Sequence, residues 1–139
     1  MKIVVVLFTL FSFGVCAEEA AFAQKEVSGA KTVTAVEAKS LIDKNDEVVV
    51  IDSRSRNQRI IGYIYESINL PDEDTTVNSL AQAVAVKQTP VIFYCSGVNG
   101  GFRSARAARI AVDAGYNKVF WFKGGFQAWK ENHYPIQVN

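Results

Sequence analysis

The chain has one histidine, His133, among its 139 residues. A Cys-His or Ser-His-Asp hydrolase needs an imidazole oriented beside its nucleophile, and His133 lies near the C-terminus in a Lys-Glu-Asn-His-Tyr context that reads as a solvent-facing helix end. Cysteine is nearly as scarce, with only Cys16 and Cys95. Two cysteines and one histidine do not make a structural zinc site. A charge excess is missing too: 15 Lys and Arg stand against 14 Asp and Glu, a net +1. That balance gives no reason to expect a nucleic acid or an acidic membrane surface as partner. The glycine-rich loop before Arg103 lacks the Gly-Lys-Ser/Thr ending of a nucleotide-binding P-loop. There is no internal repeat and no low-complexity tract. The long apolar run, Ile3 to Val15, is shorter than the roughly 20 residues that a membrane-spanning helix needs.

That run follows Lys2 and precedes small residues, with cleavage sites after Ala17 (Val15-Cys16-Ala17) or after Ala23 (Ala21-Phe22-Ala23). Charged, apolar and small segments in that order form the pattern of a secretory signal peptide over residues 1–23, with an uncleaved anchor as the other reading. Val15 disfavours lipid attachment at Cys16. The expectation is a periplasmic or secreted protein with no membrane attachment after cleavage. Either cleavage removes Cys16 and leaves Cys95 alone, and a single leftover thiol in a secreted protein marks a reactive or intermolecular site. The remaining length suits one domain.

Residues Gln24 to Lys31 read as a flexible lead-in. Thr34-Ala-Val-Glu37 is a capping box that opens a helix to about Asp43. Val48 to Ile51 is a β-branched run suited to a strand covered on both faces. A helical turn around Gln58 to Ile61, a strand over Ser67 to Leu70, a helix over Val77 to Val86 and a strand over Val91 to Tyr94 follow. The next helix runs from Ser104 to Ala114, closed by Gly115. Strands alternating with helices imply an α/β fold, a mostly parallel sheet with helices on both faces.

After Tyr94 come Cys95, Ser96, Gly97, Val98, Asn99, Gly100, Gly101, Phe102, Arg103 and Ser104. A cysteine thus sits where a buried strand ends and a helix begins. Unpaired N–H groups of a helix's first turn, with the positive end of its dipole, stabilise a thiolate and bind anions. Glycines at 97, 100 and 101 let the loop curl until amides of residues 96–102 point at the sulfur. The Ser, Asn and Gly neighbours predict an exposed thiol; the bland alternative is a small buried hydrophobe. Asp52 reads equally as a turn-former or as a carboxylate at the ligand-binding edge of the sheet. Arg54 and Arg56 face that edge or are simply solvated. Arg103 is the natural side chain to attract anionic oxygens, whereas Ser104 reads first as an N-cap. Arg106 and Arg109 read as solvent-facing, and Tyr94, Phe102 and the group Phe120, Trp121, Phe122, Phe126 and Trp129 as packing.

The segment from Val91 to Ala108 resembles the active-site segment of rhodanese-like sulfurtransferases. The resemblance spans Thr32 to Ile136. Val50-Ile51-Asp52-Ser53-Arg54 is similar to the family's Asp-x-Arg strand end, Gly62 to Pro71 to its Gly-His-Ile-Pro-Gly-Ala-Ile-Asn-Ile-Pro segment, and Gly124-Gly125-Phe126-Gln127-Ala128-Trp129 to its double-glycine turn and last helix. Tyr63 stands where His is usual, Gln58 where Glu is common, and Tyr65-Glu66-Ser67 in place of Pro-Gly-Ala. Seven residues separate Cys95 from Arg103, more than is common in the family, and in that superfamily loop length goes with the size of the anion accepted. The resemblance implies a single rhodanese-like domain and a thiosulfate sulfurtransferase-like enzyme without a cofactor or metal. Cys95 would be catalytic, residues 96–103 would bind the substrate, and Asp52, Arg54 and Ser104 would support them. The implied partners are a small anionic sulfur donor such as thiosulfate and an acceptor that is cyanide or a thiol, including a thiol on a protein. Two other readings stay open: a thiolate-based phosphatase or arsenate reductase, and a non-catalytic sulfur-carrier or redox module.

Overall fold

The structure is a computed structural model and describes residues 25–139. The signal-peptide reading of residues 1–23, with Cys16, lies outside the described residues. Among the described residues, seven strands and five α-helices follow one another as β1 (Ala30–Thr32), α1 (Ala35–Lys44), β2 (Val49–Asp52), α2 (Arg56–Arg59), β3 (Tyr63–Ile64), β4 (Ile68–Asn69), α3 (Val77–Ala83), β5 (Val91–Tyr94), α4 (Phe102–Asp113), β6 (Val119–Phe122), α5 (Gly125–Glu131) and β7 (Ile136–Gln137).

Five strands make one parallel sheet in the order β1-β6-β5-β2-β4. Helices cover both of its faces, which is why the inner strands are continuous apolar runs rather than alternating ones. Ile51, Val91 and Phe93 pack with Leu80 of α3 and Ala105, Ala107, Ala108 and Ala111 of α4. The alternate residues Val50, Ile92 and Tyr94 pack with Ala35 and Ala38 of α1 and with Phe126 and Trp129 of α5. The alanines of α4 let its backbone lie close over β5. The capping box is present in full: Thr34 Oγ1 accepts from the Glu37 amide at 3.2 Å, and the Glu37 carboxylate accepts from the Thr34 amide at 2.8 Å.

Two expectations are corrected, and one strand pair is added that the sequence did not suggest. The lead-in is not a loose segment, because Ala30–Thr32 forms edge strand β1 beside β6 and Val27 is buried. β6 carries Val119 and Trp121 toward the α4 face, and without β1 the edge of this parallel strand would be open. The added pair is β3 with β7, small and antiparallel, with Tyr63 opposite Gln137 and Ile64 opposite Ile136. The second correction is that α4 starts at Phe102 rather than Ser104, because Gly101, at φ 72°, makes the left-handed turn that admits the helix.

Candidate active site

β5 delivers Cys95 to the carboxyl edge of the sheet, and α4 begins seven residues later. The intervening loop is left-handed at Gly97 (φ 86°), Asn99 (φ 57°), Gly100 (φ 71°) and Gly101 (φ 72°). It is clamped against the double-glycine turn. The Phe126 amide donates to the Cys95 carbonyl at 2.8 Å and the Gln127 amide to the Ser96 carbonyl at 3.0 Å. A Cβ on Gly97 would overlap the Gly124 carbonyl, and one on Gly125 would lie 2.6 Å from the Gly97 nitrogen. Two glycines, Gly97 and Gly125, are thus needed for this loop and turn to touch backbone to backbone.

That clamp explains why the exposed thiol expected from the sequence is not found: Cys95 is free but only 2% exposed. Among the described residues the hydrogen bond to its Sγ comes from the Ser104 hydroxyl at 3.3 Å rather than from a loop amide. Ser104 is not an N-cap. It is the third residue of α4, fully buried, facing the sheet, and its Oγ also lies 3.0 Å from the Gly101 carbonyl and accepts from Trp121 Nε1 at 3.0 Å. His133 is exposed beyond the far end of α5, whose first turn rests on the loop, so no imidazole stands beside the sulfur.

Beside the loop opens a cleft of about 490 Å³ lined by Arg54, Gln58, Ile61, Ser96, Val98, Phe126, Gln127, Lys130 and Glu131. Arg54 and Lys130 bring positive charge to it, offset in part by Glu131. Arg103, half-buried, donates from Nη1 to Gln58 Oε1 at 2.6 Å, so the predicted anion-binding arginine is tied to a wall of the cleft. Val98 and Phe102 are exposed, at 52% and 42%, which corrects the reading of Phe102 as a packing residue. Arg106 and Arg109 are exposed as expected; Arg106 pairs with Asp72. Gly97 and Gly100 border the opposite side of the loop, toward Thr34, Lys123 and Gly124.

Asp52 is the buried anchor of a network, and its bond to the Arg54 amide two residues on is the turn-forming contact that was one of its two readings. Its Oδ1 accepts from Arg54 Nε at 2.9 Å and from the Arg54 amide at 3.1 Å. Its Oδ2 accepts from Arg54 Nη2 at 2.7 Å, Tyr94 OH at 2.8 Å and Arg59 Nη1 at 3.3 Å. Arg54 also donates to the Gly62 carbonyl at 2.8 Å, and its guanidinium lies 4.1 Å from the Phe126 ring. Burial acts against the charge on Arg54, but the hydrogen bonds and charge of Asp52 outweigh it and hold the guanidinium protonated beyond its usual range. Burial, with the Asp52 charge beside it, pushes the Tyr94 phenol above its usual range and keeps it a donor. Ser67, whose Oγ lies 3.1 Å from Tyr94 OH, and Arg59, which donates to Ser67, complete the cluster. Sequence reasoning missed Tyr94, Arg59, Ser67, Trp121, Gln127 and Lys130 as parts of the site. Tyr94 alone carried a signal, a hydroxyl at the end of a strand that, once β2 and β5 pair, lies opposite Asp52.

The rhodanese-like domain model matches residues 34–132. This chain belongs to the rhodanese-like family. Over 110 residues it is 34% identical to the uncharacterized protein YibN of Escherichia coli K12, a match covering 78% of this chain and 73% of YibN. It is 29% identical over 109 residues to the thiosulfate sulfurtransferase GlpE of Coxiella burnetii, covering 78% of this chain and 95% of GlpE. Among solved structures, RPA3614 of Rhodopseudomonas palustris, described as a possible tyrosine phosphatase, is 26% identical with a TM-score of 0.61 and coverages of 95% and 100%. The rhodanese-like match contains every residue of the sulfur loop, the Asp52 cluster and the double-glycine turn.

Proposed function

We propose that this rhodanese-like domain is a sulfurtransferase that works through a Cys95 persulfide. The observation that carries the reading is the setting of the sulfur: it ends a parallel strand, faces the first turn of α4, and has a hydroxyl rather than a base as its hydrogen-bond partner. A thiolate with no base beside it suits attack on an electrophilic sulfur, where no proton has to be moved. Cys95 attacks the outer sulfur of thiosulfate, forming an S–S bond as the S–S bond of the donor breaks and sulfite leaves with the electron pair. An acceptor thiolate or cyanide then attacks the outer sulfur of the persulfide and releases the Cys95 thiolate. Arg54 and Lys130 attract the anionic donor to the cleft, and Arg103 holds the Gln58 wall. The similarity to GlpE supports thiosulfate as the donor. The Ile61 and Val98 lining suits an acceptor thiol on an organic molecule or a protein. The signal-peptide pattern supports a periplasmic or secreted address, which the mass of the mature N-terminus tests.

Phosphoryl chemistry is the second reading, favoured by the long Cys95-to-Arg103 loop and the likeness to RPA3614. A paired assay separates the two. Thiosulfate-to-cyanide transfer, the gain of one sulfur atom in mass on incubation with thiosulfate, and loss of both in Cys95→Ser are expected. Hydrolysis of an aryl phosphate without sulfur transfer would reverse the choice. A persulfide that forms and is never discharged to cyanide or a thiol would make the protein a carrier.

A further inference from the structure

The hydroxyl on Cys95 is not free to point as it likes. Ser104 Oγ has three polar neighbours, Trp121 Nε1 at 3.0 Å, the Gly101 carbonyl at 3.0 Å and Cys95 Sγ at 3.3 Å, in a fully buried setting. An indole N–H only donates and a carbonyl only accepts, while a hydroxyl offers one proton and two lone pairs. Trp121 therefore takes one lone pair of Oγ in every state of the site. The single Ser104 proton goes either to the Gly101 carbonyl or to the sulfur. When Cys95 carries a proton, its weak S–H donor can use the second lone pair and the hydroxyl turns to Gly101. When the sulfur is anionic, the stronger acceptor wins and the hydroxyl turns to Sγ.

A donor into Oγ also polarises the O–H bond, since chained hydrogen bonds strengthen one another in a low-dielectric interior. Trp121 is well placed for this. It is fully buried on β6, and its ring lies beside Gly101, 3.4 Å from where a side chain at that position would begin. We infer that Trp121 is a positioning residue for the sulfur chemistry: its indole N–H fixes and polarises the Ser104 hydroxyl, which then donates to the negatively charged Cys95 sulfur. The inference rests on Cys95 as the reacting sulfur. The indole touches neither substrate nor sulfur and acts only through Ser104.

The test is a double-mutant cycle read by the second-order rate of Cys95 alkylation with iodoacetamide at fixed neutral pH, which needs no sulfur donor. Ser104→Ala is expected to slow alkylation about tenfold, the worth of one charge-assisted hydrogen bond. Trp121→Phe is expected to slow it about threefold through the weaker hydroxyl. In the Ser104→Ala background, Trp121→Phe should change the rate by less than about 1.5-fold, because the intermediary is gone. Benzothienylalanine in place of Trp121 keeps the ring and its packing but has no N–H, and should reproduce Trp121→Phe even if the smaller ring loosens the fold. A slowing by Trp121→Phe of equal size in both backgrounds would overturn the inference, as would a benzothienylalanine protein that reacts like the parent. A parent protein that resists alkylation while folded would overturn it as well. Absence of thiosulfate-to-cyanide transfer with the cycle intact would instead remove the sulfurtransfer reading and leave the Trp121 role standing.

Discussion

Asp52→Asn tests the buried anchor of the site. The carboxylate accepts five hydrogen bonds, two on Oδ1 and three on Oδ2, and both it and Arg54 are buried. An asparagine keeps one acceptor oxygen. Its NH2 group, at the place of the other oxygen, would face Arg54 Nη2, Arg59 Nη1 and Tyr94 OH, so donors meet donors and a buried guanidinium loses its counter-charge. Breaking such a pair from one side destabilises by about 3–5 kcal/mol, against a total stability of roughly 5–15 kcal/mol for a domain. For a domain of this size that corresponds to a fall in Tm of about 10–25 °C. Urea unfolding followed by circular dichroism measures it directly, and sulfur transfer should fall with it because Arg54 walls the cleft. Replacing both partners, Asp52→Leu with Arg54→Met, should recover at least half of the loss, since the buried cation goes as well. An Asp52→Asn protein within about 1 kcal/mol of the parent would refute the reasoning.

Three further outcomes follow from the same geometry. Because the Tyr94 phenol titrates higher in the folded chain than in the unfolded one, its contribution is intact below about pH 10 and is lost above it at about 1.4 kcal/mol per pH unit. In Tyr94→Phe that part of the alkaline slope should vanish in urea titrations between about pH 10 and 12; an unchanged slope would count against it. Gly97→Ala should disrupt folding and transfer, because its Cβ meets the Gly124 carbonyl, whereas Gly115→Ala, also at positive φ but with nothing within 4 Å, should lose only the left-handed penalty of about 1–2 kcal/mol. Equal losses at the two positions would show that packing against the turn is unimportant. Ser53 Oγ is buried without a hydrogen-bond partner, so Ser53→Ala should be neutral or stabilising by up to about 1 kcal/mol in the urea midpoint, and a loss of more than that would mean the hydroxyl has a partner.

Much of the fold was legible because its signals are local. A capping box is a four-residue pattern, and Thr34 and Glu37 make it as expected. Val91 to Tyr94 reads as a strand and is one. The helix over residues 102–113 was found two residues late, because the loop glycine that starts it was counted as part of the loop alone. The lead-in was misread because β1 is an edge strand of three residues, too short to show a pattern, held in place by β6 some ninety positions away.

The order of residues by itself determined the alternation of strand and helix, hence a parallel sheet with two covered faces, and it placed one cysteine at a β-to-α junction among glycines with no imidazole nearby in the chain. Only the tertiary structure decided that this sulfur is buried, that Ser104 faces it from inside α4, that Trp121 lies behind Ser104, and that Asp52 gathers Arg54, Arg59 and Tyr94. These contacts join residues 9, 17 and up to 42 positions apart. They exist because β6, β5 and β2 lie side by side in that order, and strand order follows from how the apolar faces are covered as a whole, which no single segment of the chain encodes.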